Sequence, residues 1–224
     1  MLHRRLWNLR SIDYNTMSYA IFQLIKKVRN KPITELTEIL TRQLKSDNET
    51  FRNSRYSFRL HMMNQKHVKN ILARLTAYVE EQSGLSSHYL EYINRKNRYE
   101  IEHIWADKPE RHQDEFTTAE EFDQHRNLIG GLLLLPKSFN ASYGALRYEE
   151  KLPHYYGQNL LAQSLNQQTY SHNPGFLRFI QDSGLAFQPY ASFQKRHMLE
   201  RQALYQEIAE RIWNPDLIKA ELEA

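Results

Sequence analysis

Residues 99–108 read YEIEHIWADK, and the adjacent Glu102 and His103 within them have the most chemistry to offer. A carboxylate is a hard oxygen donor, and an imidazole is a base that titrates near neutral pH. Further along, after a Gly-Gly turn and four leucines, Asn140 opens a helical stretch and adds an amide oxygen. Carboxylate and amide oxygens suit Mg²⁺ or Mn²⁺, with water and a substrate phosphate completing the shell. A neutral His beside such an ion is placed to take a proton from an attacking water, while the ion offsets charge at the scissile phosphate. Brought to one point, Glu102, His103 and Asn140 would therefore hydrolyse a phosphodiester with a divalent metal. Taken alone, Glu-His is also what a solvated strand edge shows by chance.

The elements around these residues decide whether they meet. Residues 98–105 read as a strand, and IGGLLLLPK reads as a second strand reached through a tight turn. A helix beginning at SFNASYG can pack across the pair and bring Asn140 to the end of the first strand. One tension is geometric. Neighbours in a regular strand point to opposite faces, so Glu102 and His103 share one ion only where the strand twists or ends. The acidic turn that follows supplies such an ending. Between the strands, Thr118 is positioned to cap a short helix with Glu120 and Glu121 at its positive end.

The remainder is helical. Residues 16–30 place Tyr19, Ile21, Phe22, Leu24, Ile25 and Val28 on one broad face. Pro32 suits the first turn of a second helix with Ile33, Leu36, Ile39, Leu40 and Leu44 inward. RYSFRLH alternates Tyr56, Phe58 and Leu60 as a short strand would. The clearest helix, NQKHVKNILARLTAYVEEQSG, buries Val68, Ile71, Leu72, Leu75 and Val79 and stops at Gly84. Helical patterns return from Tyr148 and close in a long helix at SFQKRHMLERQALYQEIAERIW. Three segments follow: a helical scaffold over 1–97, a compact insert over 98–152, and helices over 153–224 packing on the same domain. His112 and His125 flank the insert, and surface positions are the simpler reading of both.

Composition sets bounds. The 224 residues are 41% hydrophobic, enough for a core, and seven glycines with seven prolines are too few for a sandwich of many tight turns. The fold class is mainly α. There is no Cys, which excludes disulfides, thiolate metal sites and Cys nucleophiles and fits a reducing compartment. No apolar run reaches the roughly 20 residues needed to cross a bilayer, so a cytoplasmic protein without a membrane partner is expected. A net charge of +4 is compatible with a polyanionic partner.

The ordered stretch IEHIWADK…HRNLIGGLLLLPKSFNASYG…YEEK resembles the C-terminal nuclease domain of GmrSD-type, modification-dependent restriction endonucleases, which are HNH or ββα-metal nucleases. Their pattern is E-H-I-x-P, a Gly-Asn-Leu-Thr-Leu-Leu strand, an Asn, and then Phe/Tyr-x-x-Lys. The resemblance implies a mainly α chain in which a helical scaffold carries a small antiparallel ββα-metal element. It implies a DNA endonuclease of bacterial defence using Mg²⁺ or Mn²⁺, with His103 as general base and Glu102 and Asn140 as metal ligands. Asn127 would brace the site as the middle HNH residue does, and Arg126, Lys137 and Lys151 would meet the nucleic acid. The implied partners are DNA, modified DNA included, and a separate or missing N-terminal sensor domain that uses nucleotide. No P-loop or other Gly-rich phosphate cradle occurs in the sequence. Two departures stand out. Trp105-Ala106-Asp107 replaces the segment with the family's Pro, and Gly131 replaces the Asn of Gly-Asn-Leu. They favour the alternative, a helical DNA-binding or partner-docking module whose nuclease centre has decayed.

Overall fold

The computed structural model describes residues 1–52, 58–94, 96 and 98–217. Tyr56 of the expected RYSFRLH strand, and Arg95 and Asn97 of the basic connector before the insert, lie outside the described residues. The chain divides into two compact units, one of residues 1–58 with 209–224 and one of residues 59–208.

The first unit contains α1 (Leu2–Trp7), α2 (Tyr14–Val28) and α3 (Ile33–Asp47). Its core is aromatic. Trp7 is fully buried, stacks on Phe58 at 4.7 Å and meets Phe51 edge-on at 5.2 Å. Arg4 and Glu210 close the cluster with a 2.7 Å ion pair. Helices α2 and α3 form where periodicity places them and pack on each other, but their apolar faces are only partly covered. No residue of α2 is buried, and Thr37 alone is buried in α3. Of the positions expected inward on α3, Ile33 is exposed, while Leu36, Ile39, Leu40 and Leu44 are half-buried: a 3.6-residue period makes an amphipathic helix but does not fix how fully its face is covered.

The second unit begins with α4 (Gln65–Gln82) and α5 (Tyr89–Ile93). All five apolar positions expected inward on α4 are buried, and Gly84 turns the chain at a φ of +80°, the conformation a side chain resists. Then come β1 (Tyr99–His103), α6 (Ala119–Arg126), β2 (Leu132–Pro136) and α7 (Lys137–Tyr143). The two strands are antiparallel, with Glu102 opposite Leu133 and His103 opposite Leu132. Because α7 packs on both strands, the insert is a ββα unit within a mainly α chain. Thr118 caps α6 by accepting from the Glu121 amide at 3.1 Å. Of the expected strand near residue 58, the described part is an isolated bridge between Arg59 and Leu128.

Helices α8 (Tyr148–Tyr155), α9 (Leu160–Gln163), α10 (Thr169–His172), α11 (Pro174–Ser183) and α12 (Lys195–Ile212) follow. Leu133 and Leu135 share a core with Trp105, Phe122, Phe139, Tyr155 and Phe193. The turn into β2 is held by close approach to α12. A Cβ on Gly130 would sit 2.2 Å from the Met198 carbonyl oxygen and 2.5 Å from the Gln202 amide nitrogen. Both are backbone atoms and cannot swing away, so Gly130→Ala is expected to cost about 3 kcal/mol. At Gly131 the nearest atom, at 2.8 Å, is the terminal methyl of Met198. Gly131→Ala should therefore cost about 1 kcal/mol or less. Thermal melts of the two variants check this, and equal losses would show that α12 yields rather than resists.

Candidate active site

Strand alternation decides the site. Glu102 and His103 point to opposite faces of the two-stranded sheet, as adjacent strand residues must. No hydrogen bond joins Glu102, His103 and Asn140 to one another among the described residues, and their own partners form two neighbouring groupings.

The first grouping is His103, Asn127 and Asp123. Asn127 ends α6, and its amide nitrogen donates to the Asp123 carbonyl at 2.9 Å and carboxylate at 3.0 Å. That fixes which way the amide faces, so its oxygen is the atom 2.9 Å from His103 Nε2. An amide oxygen only accepts; hence Nε2 carries the proton and Nδ1 keeps the lone pair. Burial pushes His103 down to about 4, the nearby Arg126 charge adds to the shift, and the Asn127 contact opposes it. The ring is therefore neutral at physiological pH. It is a base whose tautomer is set by its neighbour.

Glu102 heads the second grouping. It is 4% exposed and faces α8, where the fully buried Lys151 places Nζ 2.6 Å from Oε1. Tyr155 reaches the same oxygen at 3.5 Å. Burial raises the Glu102 carboxyl and lowers the Lys151 amine, and their mutual attraction opposes both shifts. Lys151 also donates to the carbonyls of His103 at 2.9 Å and Ile104 at 3.4 Å, tying down the end of β1. The expectation that Lys151 meets a phosphate backbone is thus corrected: an ammonium with no exposure, bonded on three sides, is an internal strut.

Asn140 lies on α7 against β1. Its amide nitrogen points to the Ile101 carbonyl at 3.4 Å, while its amide oxygen is buried and has no hydrogen-bond partner among the described residues. An orphaned buried acceptor of this kind is costly unless something else satisfies it. A hard cation would do so. The contacts on Glu102 both fall on Oε1, which leaves Oε2 as the carboxylate's other donor. Carboxylate and amide oxygens beside the same strand match the chemistry of a Mg²⁺ or Mn²⁺ site. Among the described residues, no three His, Cys, Asp or Glu side chains gather as a metal cluster.

Arg126 and Lys137 remain accessible. Arg126 is half-buried and donates from Nε to the Trp105 carbonyl at 3.1 Å, close enough to influence both His103 and Glu102. Lys137, the first residue of α7, is exposed and pairs loosely with Glu100 at 3.5 Å. Trp105 is a core anchor: its indole donates to the Phe193 carbonyl at 2.8 Å and its ring stacks on Phe122. His112 packs against Trp105, and His125 bonds the Glu121 carbonyl at 2.8 Å, so neither is a free surface imidazole. Sequence reading missed the environment of Glu102. Tyr-x-x-Lys-x-x-x-Tyr at 148–155 puts Lys151 and Tyr155 four apart on one helix face, and that spacing was the available signal.

Compared with known families, the chain matches the family model described as GmrSD restriction endonucleases, C-terminal domain, over residues 45–224. No curated protein sequence and no solved structure matches it significantly.

Proposed function

This chain belongs to the family of GmrSD restriction endonuclease C-terminal domains, and on that premise we propose that it is an HNH-type, Mg²⁺- or Mn²⁺-dependent DNA endonuclease. Its substrate is foreign DNA, modified DNA included. It acts in the cytoplasm, with recognition of the modification assigned to a separate nucleotide-using sensor domain. One observation carries the reading most: His103, neutral and oriented by Asn127, ends the strand against which Asn140 presents a buried amide oxygen without a partner.

In this reading His103 Nδ1 removes a proton from the attacking water, and Asn127 holds the ring in the tautomer that leaves Nδ1 open. Glu102 and Asn140 would hold the metal. A bound divalent ion supplies positive charge to the phosphate and to the departing oxygen. Arg126 adds a fixed cation close to the base, and Lys137 offers another at the surface. Lys151 keeps Glu102 in place and secures the backbone of His103.

A second reading has one specific support. Glu102 already has a cation, Lys151, at 2.6 Å, as it would in a DNA-binding module that has lost its metal. Metal dependence separates the two. Protein treated with EDTA is expected to leave supercoiled plasmid intact, with Mg²⁺ or Mn²⁺ restoring nicking. Asn140→Ala should weaken metal binding, read by calorimetry, roughly 10- to 100-fold. Salt-sensitive DNA binding without either metal uptake or cleavage would hand the case to the second reading.

A further inference from the structure

A cleft of about 670 Å³ runs along β1, lined by Tyr99, Glu100 and Ile101, and His103 lies in its wall. Lys66 and Lys69, from the start of α4, and Arg98, immediately before β1, line the same cleft. Lys66 and Lys69 are three residues apart and so are neighbours on the helix surface. None of the three cations has an ion pair among the described residues. The single carboxylate in the lining, Glu100, is paired with Lys137 at 3.5 Å. The lining therefore carries three cations to one carboxylate, with His103 among them. The end of α4 adds to this. Asn64 precedes the helix, but its side chain is committed to the His61 amide and the Arg59 carbonyl. It makes no capping bond, which leaves the amides of Gln65 and Lys66 for an outside acceptor.

We infer that this cleft is the track of the cleaved strand: Lys66, Lys69 and Arg98 bind successive phosphates of a DNA backbone and deliver the scissile one to His103. The inference rests on the nuclease reading for the identity of His103, but the binding it describes is measurable without cleavage. Phosphate contacts fix register and orientation, and they make affinity fall with salt. Three lysine and arginine contacts close to one base suit that positioning role, whereas Lys151, buried on the opposite face, does not serve it.

The test uses duplex DNA and the His103→Ala chain, with affinity measured across a salt series. Adding Lys66→Gln, Lys69→Gln and Arg98→Gln should make the slope of log affinity against log salt shallower by about 2 to 3. A control with Lys26, Arg42 and Lys45 changed to Gln, all exposed and all outside the cleft, should keep the slope. In the His103-containing chain, the cleft triple should raise KM and leave kcat nearly unchanged. Should the triple fail to fold by circular dichroism, Lys66→Gln alone, at an exposed position, should still change the slope by about 0.9. An unchanged slope, or no DNA binding at all, overturns the inference. If plasmid nicking persists with an unchanged slope, the nuclease reading survives without the cleft. If the slope depends on the cleft but no variant ever nicks DNA, the cleft stands and the nuclease reading falls.

Discussion

His103→Ala is expected to lower metal-supported plasmid nicking by about 10²- to 10⁴-fold, the range for loss of a general base. The size of the effect follows from how completely the ring is prepared. Burial holds it neutral, and Nε2–H donates to the Asn127 amide oxygen, so Nδ1 is ready to accept before substrate arrives. Alanine also removes a donor to the Asn127 amide oxygen, yet the amide nitrogen keeps both its bonds to Asp123, and the fold should survive. Asn127 acts through His103 and is a positioning residue. Asn127→Ala should lower kcat by on the order of 10²-fold or less with KM little changed. A structural role alone would lower the melting temperature without moving the tautomer. Nitrogen-15 NMR of the His103 ring separates the two, since loss of positioning should transfer part of the proton from Nε2 to Nδ1. Equal nicking by wild type and His103→Ala would remove the imidazole from the mechanism.

The sequence made the ββα order legible because each piece carries a local signal. Thr118 caps α6, Gly84 ends α4, and the leucine run follows a glycine pair that only a close approach to α12 requires. The fate of Glu102 was not legible. Its partner Lys151 lies 49 residues away, and no local rule states which helix covers which strand face. Alternation did warn that Glu102 and His103 diverge, and the structure adds what each diverges toward. Asn127 was legible by type and order, while the bonds that orient it depend on Asp123 standing one helical turn earlier. Lys66 and Lys69 were invisible as functional residues for the same reason as Lys151. Their spacing marks one helix face, but only tertiary packing places that face beside β1. Gly131 also becomes intelligible. The side chain of Met198 fills the space next to it, so an Asn at this position, as in the family pattern, would have to displace that methyl group. Here the side chain hydrogen-bonded to His103 is that of Asn127.

The largest effect on stability is expected from Lys151→Met. Removing the ammonium leaves a carboxylate that is 4% exposed without its charge partner, and it frees the carbonyls of His103 and Ile104 from a donor. Breaking one side of a buried pair typically costs about 3–5 kcal/mol, which for a chain of this size lowers the melting temperature by roughly 6 to 20 °C. The pair itself is worth far less than that, because burying two charges offsets most of their attraction. A chain with both Glu102→Leu and Lys151→Met should therefore melt well above the single variant, although it lacks the ion pair entirely. The same experiment reaches the function. If Glu102 Oε2 is a metal donor, Mg²⁺ should raise the melting temperature of Lys151→Met more than that of wild type, since the ion then replaces the ammonium that touched the carboxylate. The double variant, lacking the carboxylate, should show the smallest response. A single variant that melts with wild type would mean that Glu102 is protonated in the native state and that Lys151 is held by carbonyls alone. In that case the carboxylate could not be assigned to the metal on electrostatic grounds, and Asn140 would be the remaining ligand with a structural claim to it.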